Sequence, residues 1–166
     1  MDYAIRKRHK RRFCLFLITT LLLMAFIFYM SAMDHTSSSE MSRGFLSSMI
    51  GSLLSRLLPR LSEKGAEYDL RKYAHMFEFA CLGASSFLLF IEAFWLRKGR
   101  GPVGSAALAA VGFCALYAAS DEWHQRFVPG RSGQLSDLLV DTGGALFGIL
   151  LILVWKWLFR RGKRAD

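Results

Sequence analysis

The sequence predicts an all-α protein: an integral membrane bundle of four transmembrane helices, with a further amphipathic helix lying at the interface. Three observations predict it. First, apolar residues make up 53% of the 166 residues before the 14 glycines are added, whereas a soluble domain reaches only ~45–50% with glycine included. Second, these residues gather in four runs, 13–33, 73–96, 103–120 and 138–159, of 21, 24, 18 and 22 residues. Roughly 20 apolar residues are enough to cross ~30 Å of hydrocarbon. Third, the net charge of +9 is distributed by side of the membrane. The same composition excludes a disordered chain, and with 3 prolines and 3 cysteines it excludes a collagenous or disulfide-framework protein. Cys14, Cys81 and Cys114 all lie in apolar runs and are expected to behave as small core residues.

The first run, 13–33, follows the basic stretch from Arg6 to Arg12 within a basic tail, 1–12. Its length exceeds the ~7–15 apolar residues of a signal-peptide core, and Met30-Ser31-Ala32 is a poor cleavage site. An uncleaved anchor is expected. The N-terminal twelve residues carry 6 Lys/Arg, the loop 97–102 carries 3, and the end of the chain from Lys156, with its basic tail 160–166, carries 5. In a four-span chain these segments share one side. The loops 34–72 and 121–137 share the other and hold 8 basic and 8 acidic residues. The positive-inside rule then places both termini in the cytoplasm of a multi-pass protein. The positive charge is therefore a topogenic signal, and no nucleic-acid partner is expected. Trp95, Trp155 and Trp157 mark the inner ends of their spans and Trp123 an outer edge, as aromatic belts do.

Loop 34–72 has 39 residues. Within it Phe45, Met49, Leu53, Leu57 and Leu61 recur every four residues, with serine, glycine and arginine between them. This periodicity predicts an amphipathic helix over about 44–61, either a lid over a site or a segment tethering the loop to the outer surface.

Ionisable residues in membrane spans are costly and mark functional sites by default. Glu92, near the inner end of its run, is expected to reach the interface or pair with Arg97 or Lys98. The others converge. Lys72, His75 and Glu78 open the second run at spacing i, i+3, i+6. Asp121, Glu122, His124 and Gln125 follow the third, and Asp121 and Gln125 share a face if the helix continues past Ser120. Asp137 and Asp141 open the fourth, with Gly144 and Gly148 on the same stripe. The starts of the second and fourth spans and the end of the third lie at one membrane face under either orientation. The GxxxG from Gly144 to Gly148 permits close helix approach, so this stripe is expected to face the bundle axis. Pro129-Gly130 marks a turn that aims Arg131 at the same region, to bind an anion or to pair with Asp137 or Asp141. The alternative is that these charges only neutralise one another and cap helix ends.

The stretches Arg71 to Phe79, Ser120 to Arg131 and Asp137 to Gly144 resemble, in order, three motifs of the VanZ-like membrane protein family. The resemblance covers roughly residues 69–159. It implies a multi-span protein of the bacterial cell membrane linked to the envelope. The family is named for a glycopeptide-resistance accessory protein associated with reduced sensitivity to teicoplanin. It implies no particular reaction, and the chain carries no HExxH, P-loop, CxxC or GxSxG.

Three functions fit the residues. In an intramembrane enzyme acting on a lipid-linked or phosphorylated envelope substrate, His75 or His124 would be the acid or base. Glu78, Glu122, Asp121 and Asp141 complete the catalytic candidates. Asp121 and Asp141 can orient a histidine or hold a divalent cation through oxygen ligands, and Lys72, Gln125, Arg131 and Asp137 would contact substrate. A non-catalytic protein would use the same pocket to bind a lipid headgroup or an antibiotic. A proton or ion pathway is the weakest fit, because the acids cluster at one face. Membrane lipids are the expected partners throughout.

Overall fold

The computed structural model describes residues 3–33, 40, 66–131 and 134–162. Among these, four helices account for nearly everything: α1 (Tyr3–Ala32), α2 (Ala66–Lys98), α3 (Val103–Gln125) and α4 (Leu135–Gly162). Each contains a stretch long and apolar enough to cross a membrane. The amphipathic helix expected over 44–61 lies outside the described residues.

Boundaries differ from the apolar runs in instructive ways. Helix α1 begins at Tyr3 and passes through the basic stretch, since Lys and Arg are good helix formers. Helix α3 does continue past Ser120, to Gln125. Apolarity ends where the site begins, but the backbone hydrogen-bond ladder does not. Helix α4 starts at Leu135, three residues before the expected 138.

Contacts at the helix ends fix an alternating up–down bundle. His9, early in α1, meets Glu92, late in α2. Ser31, at the end of α1, meets Asp121, at the end of α3. His75 and Asp141, both early in their helices, also meet. Helix α2 lies against all three others, most extensively α4.

The bundle carries its large apolar side chains outward. Leu15, Leu22, Leu108, Leu116, Leu139 and Trp155 are among many that are exposed, as a lipid-facing surface requires. The interior of α3 is built from small residues, with Ala106, Ala110, Cys114 and Ala118 all fully buried at intervals of four. Small residues let backbones approach closely where van der Waals packing drives association. The core has two layers. Ile27, Phe79, Leu82, Cys114, Ala118 and Ala145 form one, and Phe87, Ala106, Ala110 and Ile149 the other.

The GxxxG of α4 packs inward as its stripe predicts. A Cβ on Gly144 would strike the carbonyl of Met76, and one on Gly148 the carbonyl of Ala80. Helices α2 and α4 therefore run side by side in parallel register, with 76 beside 144 and 80 beside 148. The expectation for the cysteines holds only for Cys114. Cys81 is half-buried and Cys14 is exposed, because Cys14 lies on the outward face of α1.

Candidate functional site

Helix α3 carries its buried stripe straight into the polar residues. Four positions after Cys114 comes Ala118, and then Asp121, Glu122 and Gln125, all buried. Helix α4 does the same in reverse, with Asp141 buried one turn before Ala145. The stripe that builds the core thus also carries the carboxylates to the bundle axis, since residues four apart share a helix face.

His75 is the centre of the arrangement. Its Nδ1 lies 3.1 Å from Glu78 Oε2, one turn along α2. Its Nε2 lies 3.1 Å from Asp121 Oδ2 of α3 and 3.6 Å from Asp141 Oδ2 of α4. Three helices thus bring one imidazole among three carboxylates. Asp121 is 2% exposed and Asp141 is 1% exposed.

Asp121 is held in place by donors on two helices. Ser31 Oγ donates to Asp121 Oδ2 at 2.8 Å, and Gln125 Nε2 donates to the same oxygen at 2.8 Å. The Gln125 amide also reaches Ser31 Oγ at 3.4 Å. These bonds crowd onto Oδ2. Asp121 Oδ1 is buried and has no hydrogen-bond partner. Asp141 Oδ2, Glu122 Oε1 and His124 Nε2 are also buried without one. All four such atoms among the described residues belong to the second and third motifs, at this end of the bundle. Most buried polar side-chain atoms have a partner, so four orphans at one end call for an explanation.

The remaining sequence candidates take other places. Lys72 Nζ pairs with Asp137 Oδ1 at 3.0 Å, tying the start of α2 to the start of α4. Glu122 Oε2 accepts from the backbone N–H of Gln134 at 2.8 Å, just before the first residue of α4. One oxygen therefore caps a helix and the other is left over. The His124 ring stacks on Phe28 of α1, with centroids 4.6 Å apart.

Arg131 has partners the sequence did not indicate, and the expectation for Glu92 needs correction. Arg131 donates from Nε to Met33 O at 3.0 Å and from its terminal nitrogen to Met30 O at 2.9 Å. It therefore caps the last turn of α1, where carbonyls lack helical partners and attract a cation. The Pro129-Gly130 turn does aim it: the Arg131 N–H donates to Val128 O at 3.1 Å, with Gly130 at φ 74°. Two of its nitrogens thus reach the end of α1. Glu92 meets His9 and Arg12 of α1, where Arg97 or Lys98 was expected. It lies on the face of α2 turned to α1, and His9 also stacks on Trp95 with centroids 3.4 Å apart.

Sequence reasoning missed Ser31 and Tyr117. Ser31 is fully buried and anchors Asp121. Tyr117, one turn before Asp121, donates from its hydroxyl to Met24 O at 2.6 Å, fixing α3 against α1. A serine near the end of an apolar run and a tyrosine in one are weak signals alone. Their meaning depends on the register of α1 against α3.

His75, Asp121 and Asp141 each offer a donor atom within 4.8 Å of the other two. This is the geometry of a site that can transfer a proton or hold a cation. A model of the VanZ/LLP1 family matches residues 16–156, so the match takes in the second half of α1 as well as the motifs on the other three helices. No curated protein and no solved structure matches. With a family match across most of its length, and the motif residues gathered at one end of a four-helix membrane bundle, the chain belongs to the VanZ/LLP1 family.

Proposed function

We propose that the His75 cluster is the active site of an intramembrane enzyme that acts on a lipid-linked or phosphorylated substrate of the bacterial envelope, and that its activity alters glycopeptide sensitivity. One observation carries the proposal. A histidine and three carboxylates converge from three helices at one end of the bundle, with buried oxygens left unpartnered. A purely structural network would be expected to satisfy those oxygens, because a buried unpaired polar group costs about 1–3 kcal/mol. A binding site leaves them for a ligand.

In this reading His75 is the acid–base group. Glu78 holds Nδ1 and fixes the ring, which leaves Nε2 to exchange a proton with substrate or water. Asp121 and Asp141 flank that nitrogen. Ser31 and Gln125 hold Asp121 and so act as positioning residues. The loops at this end are the less basic ones, which supports an outward-facing site in the cell membrane with both termini in the cytoplasm.

The test uses full-length protein in detergent, supplied with an envelope lipid extract of the expressing host. Consumption of a phosphorylated lipid by wild-type protein, lost in His75→Gln at equal protein, is the expected outcome. Loss of about 100-fold or more fits removal of a general acid–base group. Stoichiometric retention of a lipid with no turnover would instead establish a non-catalytic binding protein.

A further inference from the structure

We infer that His75, Asp121 and Asp141 form a binding site for one divalent transition-metal ion, of the Zn²⁺ or Mn²⁺ class. The inference rests on reading the cluster as a functional site and gives that site its cofactor.

Charge balance points to a cation. Around His75 stand Glu78, Asp121 and Asp141, with Glu122 Oε1 buried and unpartnered at the same end. The nearest cations at this end each have other partners as well: Lys72 meets Asp137, and Arg131 donates to carbonyls of α1. A phosphorylated substrate entering among three carboxylates would be repelled. A bound divalent ion reverses the sign of the site, and such ions are often the largest local charge.

The donors fit. A neutral imidazole donates from one nitrogen only. In a metal-bound state, Nδ1–H given to Glu78 would leave the Nε2 lone pair for the ion, beside Asp121 Oδ2 at 3.1 Å and Asp141 Oδ2 at 3.6 Å. A proton on Nε2 can bridge to Asp121 Oδ2, and a metal ion would take its place. At a metal–donor distance of ~2.1 Å, the 3.6 Å separation of His75 Nε2 from Asp141 Oδ2 subtends about 118°. That is within the range of tetrahedral and five-coordinate sites. Asp121 Oδ1 and Asp141 Oδ2 are both buried and unpartnered, and His75, Asp121 and Asp141 each have a ligand atom within 4.8 Å of the other two.

The surrounding shell fits as well. A metal-bound histidine usually gives its other N–H to a carboxylate, and ligating carboxylates are themselves hydrogen-bonded. Here Glu78 takes the Nδ1 side, and Ser31 and Gln125 hold Asp121 Oδ2. One nitrogen with two carboxylate oxygens favours Zn²⁺ or Mn²⁺ over Ca²⁺, which takes oxygen ligands. Three protein ligands leave a coordination position for water or substrate.

The test is elemental analysis and calorimetric titration of the full chain in detergent. The protein is first stripped with a chelator, then titrated with Zn²⁺ or Mn²⁺ and, separately, Ca²⁺. About one Zn²⁺ or Mn²⁺ per chain is expected, with Ca²⁺ bound far more weakly. Affinity should fall at least about tenfold in Ser31→Ala, which removes only an outer hydrogen bond, and further in Asp141→Asn. Thermal midpoints establish that each variant is folded. Folded wild-type protein that takes up no stoichiometric ion, or Asp141→Asn protein that binds as wild type does, overturns the site. The two readings fail separately. Metal binding with an envelope phenotype indifferent to His75→Gln overturns the enzyme and leaves the ion. Turnover that survives complete metal removal overturns the ion as the site's cofactor and leaves the enzyme.

Discussion

Each end of the bundle places a histidine against a buried carboxylate, and the two ends resolve the charge differently. At one end Glu92, 6% exposed, has His9 beside it and Arg12 at 3.9 Å. Trp95 covers the imidazole. One acid has two basic partners, and among the described residues no buried side-chain atom there lacks a hydrogen bond. At the other end one histidine faces Glu78, Asp121 and Asp141, and four buried atoms are unpartnered. The first arrangement is complete as it stands and pins α1 to α2. The second leaves buried polar atoms without hydrogen-bond partners. In an interior where unpaired charge is expensive, that contrast is the one expected between a structural ion cluster and the ligand site proposed above.

Changes that spare or strike one end sharpen the contrast. The largest expected effect comes from removing both ends together. Gly148→Leu drives a side chain into the Ala80 carbonyl, where backbone cannot yield as a flexible side chain would. Overpacking of this kind costs about 1–3 kcal/mol or more. The yield of monodisperse protein and its thermal midpoint should both fall sharply. His9→Ala comes next. It removes the Glu92 hydrogen bond and the stacking on Trp95, at about 1–2 kcal/mol. The thermal midpoint should drop while the envelope phenotype per inserted molecule stays constant. A lost phenotype at normal insertion would dissolve the distinction between the ends.

Arg131→Gln is expected to cost about 1–2 kcal/mol, since the charged hydrogen bonds to Met30 O and Met33 O are lost. Because Arg131 caps α1, its effect on stability should add to that of Asp141→Asn. Mutual rescue between the two, measured in a double-mutant cycle, would instead mean that they form a pair. The smallest effect is assigned to Lys72→Gln. The Lys72–Asp137 pair is about a quarter to a third exposed, and such pairs contribute under about 1 kcal/mol.

The sequence revealed the motif end better than the other. Four apolar runs of span length force the starts of α2 and α4 and the end of α3 to one face, so the meeting of His75, Asp121 and Asp141 follows from topology. The Gly144–Gly148 stripe was legible because a period of four on a helix needs no knowledge of the partner. What lay hidden depended on α1, whose sides look alike in apolar content. Which of its residues faces α2 or α3 is decided by packing register. Hence Ser31 beneath Asp121, Met24 O beneath Tyr117, His9 against Glu92 and the Met30 and Met33 carbonyls beneath Arg131 could not be assigned. The hydrogen bond between Thr20 and Ser85, 2.9 Å in length, belongs with them: both hydroxyls read as isolated polar residues until the register joins them.

The most direct measurement of the contrast is a matched pair of charge removals, Asp141→Asn and Glu92→Gln, each preserving side-chain size. Thermal midpoints of the two proteins are compared with wild type in one detergent with a chelator present. If the motif end is held for function at a cost in stability, Asp141→Asn relieves carboxylate crowding and leaves the midpoint unchanged or higher. Glu92→Gln, which takes the charge from a satisfied cluster, lowers it. A midpoint that falls as far for Asp141→Asn as for Glu92→Gln would contradict the account, because Asp141 would then be as structural as Glu92.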